Sequence, residues 1–416
     1  MEGLLKEEGW VPREVRSGWS GPAKGLATLI TGPRRAGKSA LAFQIGLSEG
    51  TFAYANFEDE RLAIPGRDLN VVLEAAHSLK GKVTLLILDE VQNIEGWERF
   101  VARLVPSMKI VVTGSNARLM SGELATLLTG RHTDRELYPF SFREFCLFQG
   151  MPFRARGFVS TRERADGYRR LEEYLTRGGF PQATKFGRSF LVDLYRDILE
   201  RDVLGRHRVR QRSALRELST HLLSNSATEV TYHRLRNLFG LHGDHTIGEW
   251  VRYLEEAYLL LELRRFSFRL HEASRAPKKV YGIDPGLVGA VGSPMAEGRG
   301  RALEGLVAIE LARRRSYFDR ESGLYYWKDH AQREVDFVRT RGRSVVELLQ
   351  VTQASDEREL PPREVASLVH AARDLRCNDL RVITWDLQGE RRIDGKLIRF
   401  VPVLDWLVQD PGQILP

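Results

Sequence analysis

A chain of 416 residues, 42% hydrophobic and 28% charged, is too long for one ordinary core and too apolar for a disordered class, so roughly two to four domains are expected. No apolar run approaches the roughly 20 residues that cross a bilayer, and the opening MEGLLKEEGW lacks a basic stretch followed by an apolar one, so no membrane partner and no secretory signal are expected, and the location expected is cytoplasmic. The formal net charge of +8 admits a nucleic-acid partner without establishing one.

Four regions separate by pattern, with boundaries at 1–150, 151–217, 218–276 and 277–416. In the first, from Leu26 to about Phe145, short apolar runs alternate with helical patterns, which predicts an α/β fold with a parallel sheet. Strands are expected at 27–30, 52–56, 83–88 and 110–113, with a fifth at 135–137; their β-branched, apolar content suits burial on both faces.

Between the first strand and the helix that follows runs Gly32-Pro33-Arg34-Arg35-Ala36-Gly37-Lys38-Ser39, the full phosphate-loop pattern in the strand-to-helix context it requires. The glycines let backbone N–H groups wrap phosphate oxygens, and the helix start adds its positive dipole end. Lys38 supplies a point charge, and the Ser39 hydroxyl is a candidate Mg²⁺ ligand. The expected ligand is therefore ATP with Mg²⁺. The run Leu85-Leu86-Ile87-Leu88-Asp89-Glu90 delivers two acids to the carboxyl edge of a sheet, where ligands bind in open α/β folds. Asp89 is the candidate metal ligand, and Glu90 the candidate base for the attacking water. Thr113, Ser115 and Asn116 end the next strand and are candidates for orienting that water or sensing the γ-phosphate, with a plain turn as the alternative. Asn56 ends the second strand and is a candidate restraint on Glu90, again with an ordinary strand-end residue as the alternative.

The succession GPRRAGKS, LLILDE, VVTGSNARLM and TGRHTDRELYPFSFREF resembles the prokaryotic AAA-type ATPases with a restriction-endonuclease-like C-terminal region, often called archaeal ATPases. That resemblance implies that 113–116 is the sensor-1 segment, that Asn56 stands at the glutamate-switch position, and that Arg131 is a γ-phosphate or inter-subunit arginine, the latter implying a homo-oligomer with the arginine acting in trans. Arg118 and Arg135 are neighbouring alternatives to Arg131. In the same stretch Ser141 and Glu144 have the spacing of a capping box that starts a helix.

Residues 151–217 read as helical and Arg-rich, broken at Arg177-Gly178-Gly179-Phe180-Pro181, where the glycine pair suits a tight turn. RGGFP and YRDILERDV resemble linker segments of the same family. The basic run 205–212 is a candidate DNA-phosphate contact or a solvated face paired with Glu200 and Asp202. Residues 218–276 predict three helices and a hairpin, a winged helix-turn-helix that either binds DNA or packs as a module; its third helix is acidic for a recognition helix.

The last region resembles the PD-(D/E)xK nuclease fold, with Glu304 on a first helix, Asp336 on a strand and Gln350 where the third motif needs an acid. Gln350 cannot supply an anionic oxygen and Thr352 cannot supply a cation, so the nuclease-like site is expected to be inactive. Lys328 and Glu347 are candidate replacements, but on one strand Glu347 and Gln350 face opposite sides. Cys146 and Cys377 stand far apart in no metal-type spacing and read as thiols in a reducing compartment.

Overall fold

The structure is a computed structural model that describes residues 10–17, 19–117, 128–151, 160–269, 272, 276–292 and 298–409. Two compact units form, one of Met1–Pro139 with Glu256–Tyr258, the other of Phe140–Glu255 with Leu259–Pro416. Arg118 lies outside the described residues. Among the described residues no helix is long and apolar enough to cross a membrane.

In the first unit the chain runs β1 (Ala27–Thr31), α1 (Lys38–Glu49), β2 (Phe52–Asn56), α2 (Asn70–Lys80), β3 (Leu85–Asp89), α3 (Trp97–Leu104), β4 (Lys109–Gly114) and β5 (His132–Glu136). The five strands form one sheet in the order β2-β3-β4-β1-β5, with every pairing parallel. The apolar runs make both faces of its central strands buried, as the sequence pattern requires. On one face Leu29, Leu86, Leu88, Ile110 and Val112 pack with Trp97, Phe100 and Val101 of α3. Register aligns Thr31 with Gly114 and Glu136, and Asn56 with Asp89, so the strand-end polar residues lie along one carboxyl edge. The last predicted strand differs most from observation: β5 starts three residues earlier than expected, because pairing with all of β1 sets its span rather than its own polar sequence.

The second unit opens with α4 (Phe142–Phe148), whose Ser141–Glu144 capping box forms as the spacing predicts. Helices α5 (Thr161–Arg177) and α6 (Ala183–Asp197) follow, the latter running into a π-helix at Ile198–Leu204. Between α5 and α6 the glycine pair is dictated by contact: a Cβ on Gly178 would stand 2.0 Å from Asp284 Oδ1 and one on Gly179 2.3 Å from Phe140 O. Next come α7 (Arg212–Ser224), β6 (Thr228–Val230), α8 (Tyr232–Leu238), α9 (Asp244–Glu256), β7 (Leu260–Arg264) and β8 (Lys278–Gly282), the strands forming a sheet in the order β6-β8-β7. The expected hairpin is thus joined by a third strand.

After α10 (Pro285–Val291) the buried α11 (Arg299–Phe318) leads into β9 (Ser322–Lys328), β10 (Glu334–Arg341), β11 (Ser344–Val351), α12 (Pro362–Asp374), β12 (Leu380–Thr384), β13 (Gly389–Ile393), β14 (Lys396–Pro402) and α13 (Val403–Val408). These strands make a six-stranded mixed sheet, β13-β14-β12-β11-β10-β9. A parallel α/β sheet, a helical region and a second α/β sheet therefore follow in the expected order.

Candidate functional site

The loop between β1 and α1 has the backbone its residues were chosen for. Gly32 and Gly37 take φ of 148° and 96°, and a Cβ on Gly32 would stand 2.2 Å from Leu137 O. Arg35 also takes a positive φ, 63°. Lys38 is buried, with Nζ donating to Gly32 O at 3.2 Å and Pro33 O at 3.0 Å and lying 3.5 Å from Glu90 Oε1. Arg34 reaches Glu58 at 2.9 Å. Two side chains the motif does not contain brace the loop. Arg13 donates to Ala36 O at 2.8 Å and Tyr138 O at 2.6 Å, and the Tyr258 hydroxyl donates to Thr31 Oγ1 at 2.9 Å, one residue before Gly32.

Asp89 and Glu90 reach the same place by the ordinary logic of a strand end. Asp89 is fully buried; Oδ1 accepts from the Thr113 hydroxyl and Oδ2 from the Tyr54 hydroxyl. Burial, then the Asp89 charge, push the Tyr54 ionisation up. Glu90 turns the chain with φ of 52°; its N–H donates to Thr113 Oγ1 at 3.0 Å, and its Oε2 accepts from Gln92 Nε2 at 2.5 Å. Burial pushes the Glu90 carboxyl up, but Lys38, Gln92 and Arg34 outweigh it and hold the group below the usual carboxylate range. Glu90 is thus a carboxylate fixed by a lysine and an amide. Tyr54, Gln92 and Arg13 were not singled out from the sequence, because nothing in their spacing marks them.

Other expected participants fall differently. Thr113 braces the two acids, while Ser115 and Asn116 are buried just beyond it. Asn56 Oδ1 accepts from Glu58 N–H at 3.0 Å, capping its own turn, and the amide found on Glu90 belongs to Gln92. Arg131 is exposed and sits where β5 begins, its carbonyl accepting from Ala27 N–H at 2.9 Å. Because β1 and β5 are parallel, that is the amino edge of the sheet, roughly 13 Å along β1 from the phosphate loop. The structure does not bring Arg131 to Lys38 of its own chain.

A second polar centre lies in the other unit. Lys279 of β8 is buried, and its Nζ meets Glu304 at 2.9 Å, Glu334 at 2.6 Å and Asp336 at 3.1 Å. Tyr281 donates to the same Glu304 at 2.8 Å, Val351 N–H to Asp336 at 2.9 Å, and Asp336 N–H to Gln350 Oε1 at 3.4 Å. Glu304, Asp336 and Gln350 are therefore gathered as expected, around a lysine the sequence reading did not assign. Burial, then Asp336, push the Glu304 carboxyl up to about 7. Lys328 instead pairs Glu229 at 2.6 Å and Glu334 at 3.1 Å, and Glu347 turns away to Arg339 and, at 3.0 Å, Arg381. Among the described residues no group of three or more His, Cys, Asp or Glu side chains is arranged to hold a metal ion.

In the basic run, Arg206 pairs Asp202 at 2.7 Å, Arg212 pairs Glu200 at 3.3 Å, and His207 stacks on Tyr253 at 3.6 Å; Arg208 and Arg210 are exposed. Near α9, Arg236 pairs Asp244 at 3.3 Å. Much of this positive charge is already balanced.

Comparison with known proteins agrees with the first unit's geometry. Residues 24–146 match the model of an AAA domain; 168–297 and 299–398 each match a domain of unknown function (DUF8612 and DUF4143). The chain is 34% identical over 397 residues to the uncharacterized protein MJ1544 of Methanocaldococcus jannaschii, covering 91% of this chain and 87% of that one. It is 30% identical over 404 residues to an uncharacterized protein of Haemophilus influenzae, covering 92% and 94%. Among solved structures it is similar to the Walker-type ATPase PABY2304 of Pyrococcus abyssi, at 16% identity and a TM-score of 0.42, over 64% of this chain and 90% of that one; a superposition so loose carries no argument. The N-terminal unit is an AAA-type, P-loop ATPase domain.

Proposed function

The chain belongs to the family of the M. jannaschii protein MJ1544, and we propose that it is a cytoplasmic ATPase that binds ATP with Mg²⁺ and uses hydrolysis as a conformational switch on its attached domains. The observation that carries this reading is the convergence on one sheet edge of Lys38, 3.5 Å from Glu90, and of Asp89, held by the Thr113 and Tyr54 hydroxyls. Loop N–H groups and the α1 N-terminus hold the phosphate oxygens, and the Lys38 ammonium, kept inside the loop by Gly32 O and Pro33 O, adds charge to them. Glu90, ionised by its surroundings, orients the attacking water and accepts its proton. Ser39 at the start of α1 and the buried Asp89 suit Mg²⁺, since a hydroxyl and one carboxylate are what that ion takes from a protein when phosphate and water supply the rest. When bound, the ion neutralises charge developing on the phosphoryl oxygens.

Lys38→Ala should abolish ATP binding, and Glu90→Gln should keep the nucleotide while turnover falls at least about 100-fold. Calorimetry with ATP and a phosphate-release assay check both, and wild-type behaviour in either variant defeats the assignment. Arg131, exposed on the edge remote from its own phosphate loop, suits an arginine that serves a neighbouring subunit, which predicts a specific activity that rises with protein concentration.

The regulated part is read as a winged helix over 218–276 and a nuclease-like domain over 277–416 that contact DNA or protein. Three helices combined with the β6-β8-β7 sheet support the former; the gathering of Glu304, Asp336 and Gln350 supports the latter. Lys279, already neutralising those acids, favours a contact surface over DNA cleavage. Should DNA be cut in a Mg²⁺-dependent way that Asp336→Ala abolishes, the alternative reading of an ATP-dependent nuclease would replace this one.

A further inference from the structure

The two acids of the ATPase site are expected from any strand ending in Asp-Glu; what holds the first of them is particular to this chain. Asp89 is fully buried, and its two oxygens are each taken by a hydroxyl, Thr113 on Oδ1 and Tyr54 on Oδ2. Tyr54 stands opposite Ile87 in the β2–β3 register, two residues short of Asp89, so its long side chain spans the remaining distance to the edge. The ring is fixed edge-on against Phe43 of α1, with centroids 5.9 Å apart at 75°, and Phe43 in turn meets Phe52.

Proton count decides the direction of these bonds. A phenol carries one proton, and with an ordinary ionisation near pH 10 it keeps that proton at neutral pH. Asp89, an acceptor when ionised, takes it, as it takes the Thr113 proton on its other oxygen.

We propose that Tyr54 is the positioning residue of the metal-bearing half of the site, fixing the Asp89 carboxylate so that it faces a divalent cation beside Ser39. The proposal rests on the ATPase reading above. It assigns to β2 a role separate from that of the loop and Lys38, which hold the phosphates whether or not a metal is present.

Tyr54→Phe removes one oxygen and keeps the ring that Phe43 packs against. ATP affinity is measured by calorimetry in chelator and then across a Mg²⁺ titration, with the phosphate-release rate followed over the same titration. Expected are an affinity in chelator within about twofold of wild type and a Mg²⁺ half-saturation raised on the order of tenfold, the size of one lost hydrogen bond to a charged group. Turnover should recover in part as Mg²⁺ is raised, and Mn²⁺, which binds such donors more tightly, should show a smaller shift. An unchanged Mg²⁺ dependence overturns the proposal while leaving the ATPase reading intact. A loss of affinity equal in chelator and in Mg²⁺ also overturns it, by making Tyr54 a packing residue. Absence of ATP binding in the wild type overturns the ATPase reading itself, and the proposal with it.

Discussion

Replacing Lys279 by Met should destabilise the second unit more than any surface change in the chain. The ammonium is buried and touches Glu304, Glu334 and Asp336 within 3.1 Å, so each of its three protons has a carboxylate to bond. Met fills a similar volume but leaves those acids facing one another without their cation. Breaking a buried pair this way costs about 3–5 kcal/mol, because the remaining charge is neither hydrated nor paired. At about 2–4 °C per kcal/mol for a unit of this size, the melting temperature falls by on the order of 10 °C. Calorimetric melts identify the affected transition as the one that ATP with Mg²⁺ does not raise, since a ligand stabilises only the unit that binds it. The effect should also depend on pH with a definite sign. Burial and Asp336 already push Glu304 up to about 7 from 4.5, so the folded unit binds a proton more tightly than the unfolded chain in that window. Stability from this group is present below about pH 4.5 and lost as pH rises toward 7. Without Lys279 the acids rise further, so the variant should be closer to wild type at about pH 5.5 than at about pH 8. Adding Glu304→Gln should recover part of the loss. A variant that melts within a degree or two of wild type at about pH 8 would refute the idea that the ammonium holds these acids together.

Two further changes probe the first unit. Gln92→Leu removes an amide that helps hold Glu90 ionised, so the acid limb of the kcat–pH profile should move to higher pH; an unmoved limb, or one moved lower, separates Gln92 from the base. Gly32→Ala forces a Cβ to within 2.2 Å of Leu137 O at a φ of 148°, so ATP binding should fall below detection by calorimetry while the second unit's melting transition stays in place. Retained nucleotide affinity in that variant would mean that the loop does not need this backbone.

What the sequence made legible is what local physics dictates. A loop that needs positive φ shows its glycines, an apolar strand ending in acids shows its direction, and Ser141 with Glu144 shows a helix start; Gly32, Gly37, Asp89, Glu90 and the cap all stand where those rules put them. The β13–β14 hairpin is absent from the expectations although its signal is also local: Asp394 and Gly395 both take positive φ, as an Asp-Gly turn between strands favours. Tyr54 and Lys279 were illegible for a different reason. An aromatic in a β2 strand and a lysine in a β8 strand read as core and surface, and only the register of β2 on β3 and acids that lie far along the chain convert them into a brace on Asp89 and a buried cation.

Arg131 shows what such a register decides even where the residue type is right. Its proximity in sequence to the strand that flanks the phosphate loop suggests a place beside the nucleotide, but a strand has two ends and a motif does not say which one is meant. Pairing of Ala27 with His132 and of Thr31 with Glu136 runs β5 in the same direction as β1, so the residue just before β5 stands at the edge where β1 begins, while the loop leaves from the edge where β1 ends. No rotamer of an arginine spans the roughly 13 Å of strand between them and still reaches a phosphate beyond it. The exposed guanidinium therefore stands away from the phosphate loop of its own chain.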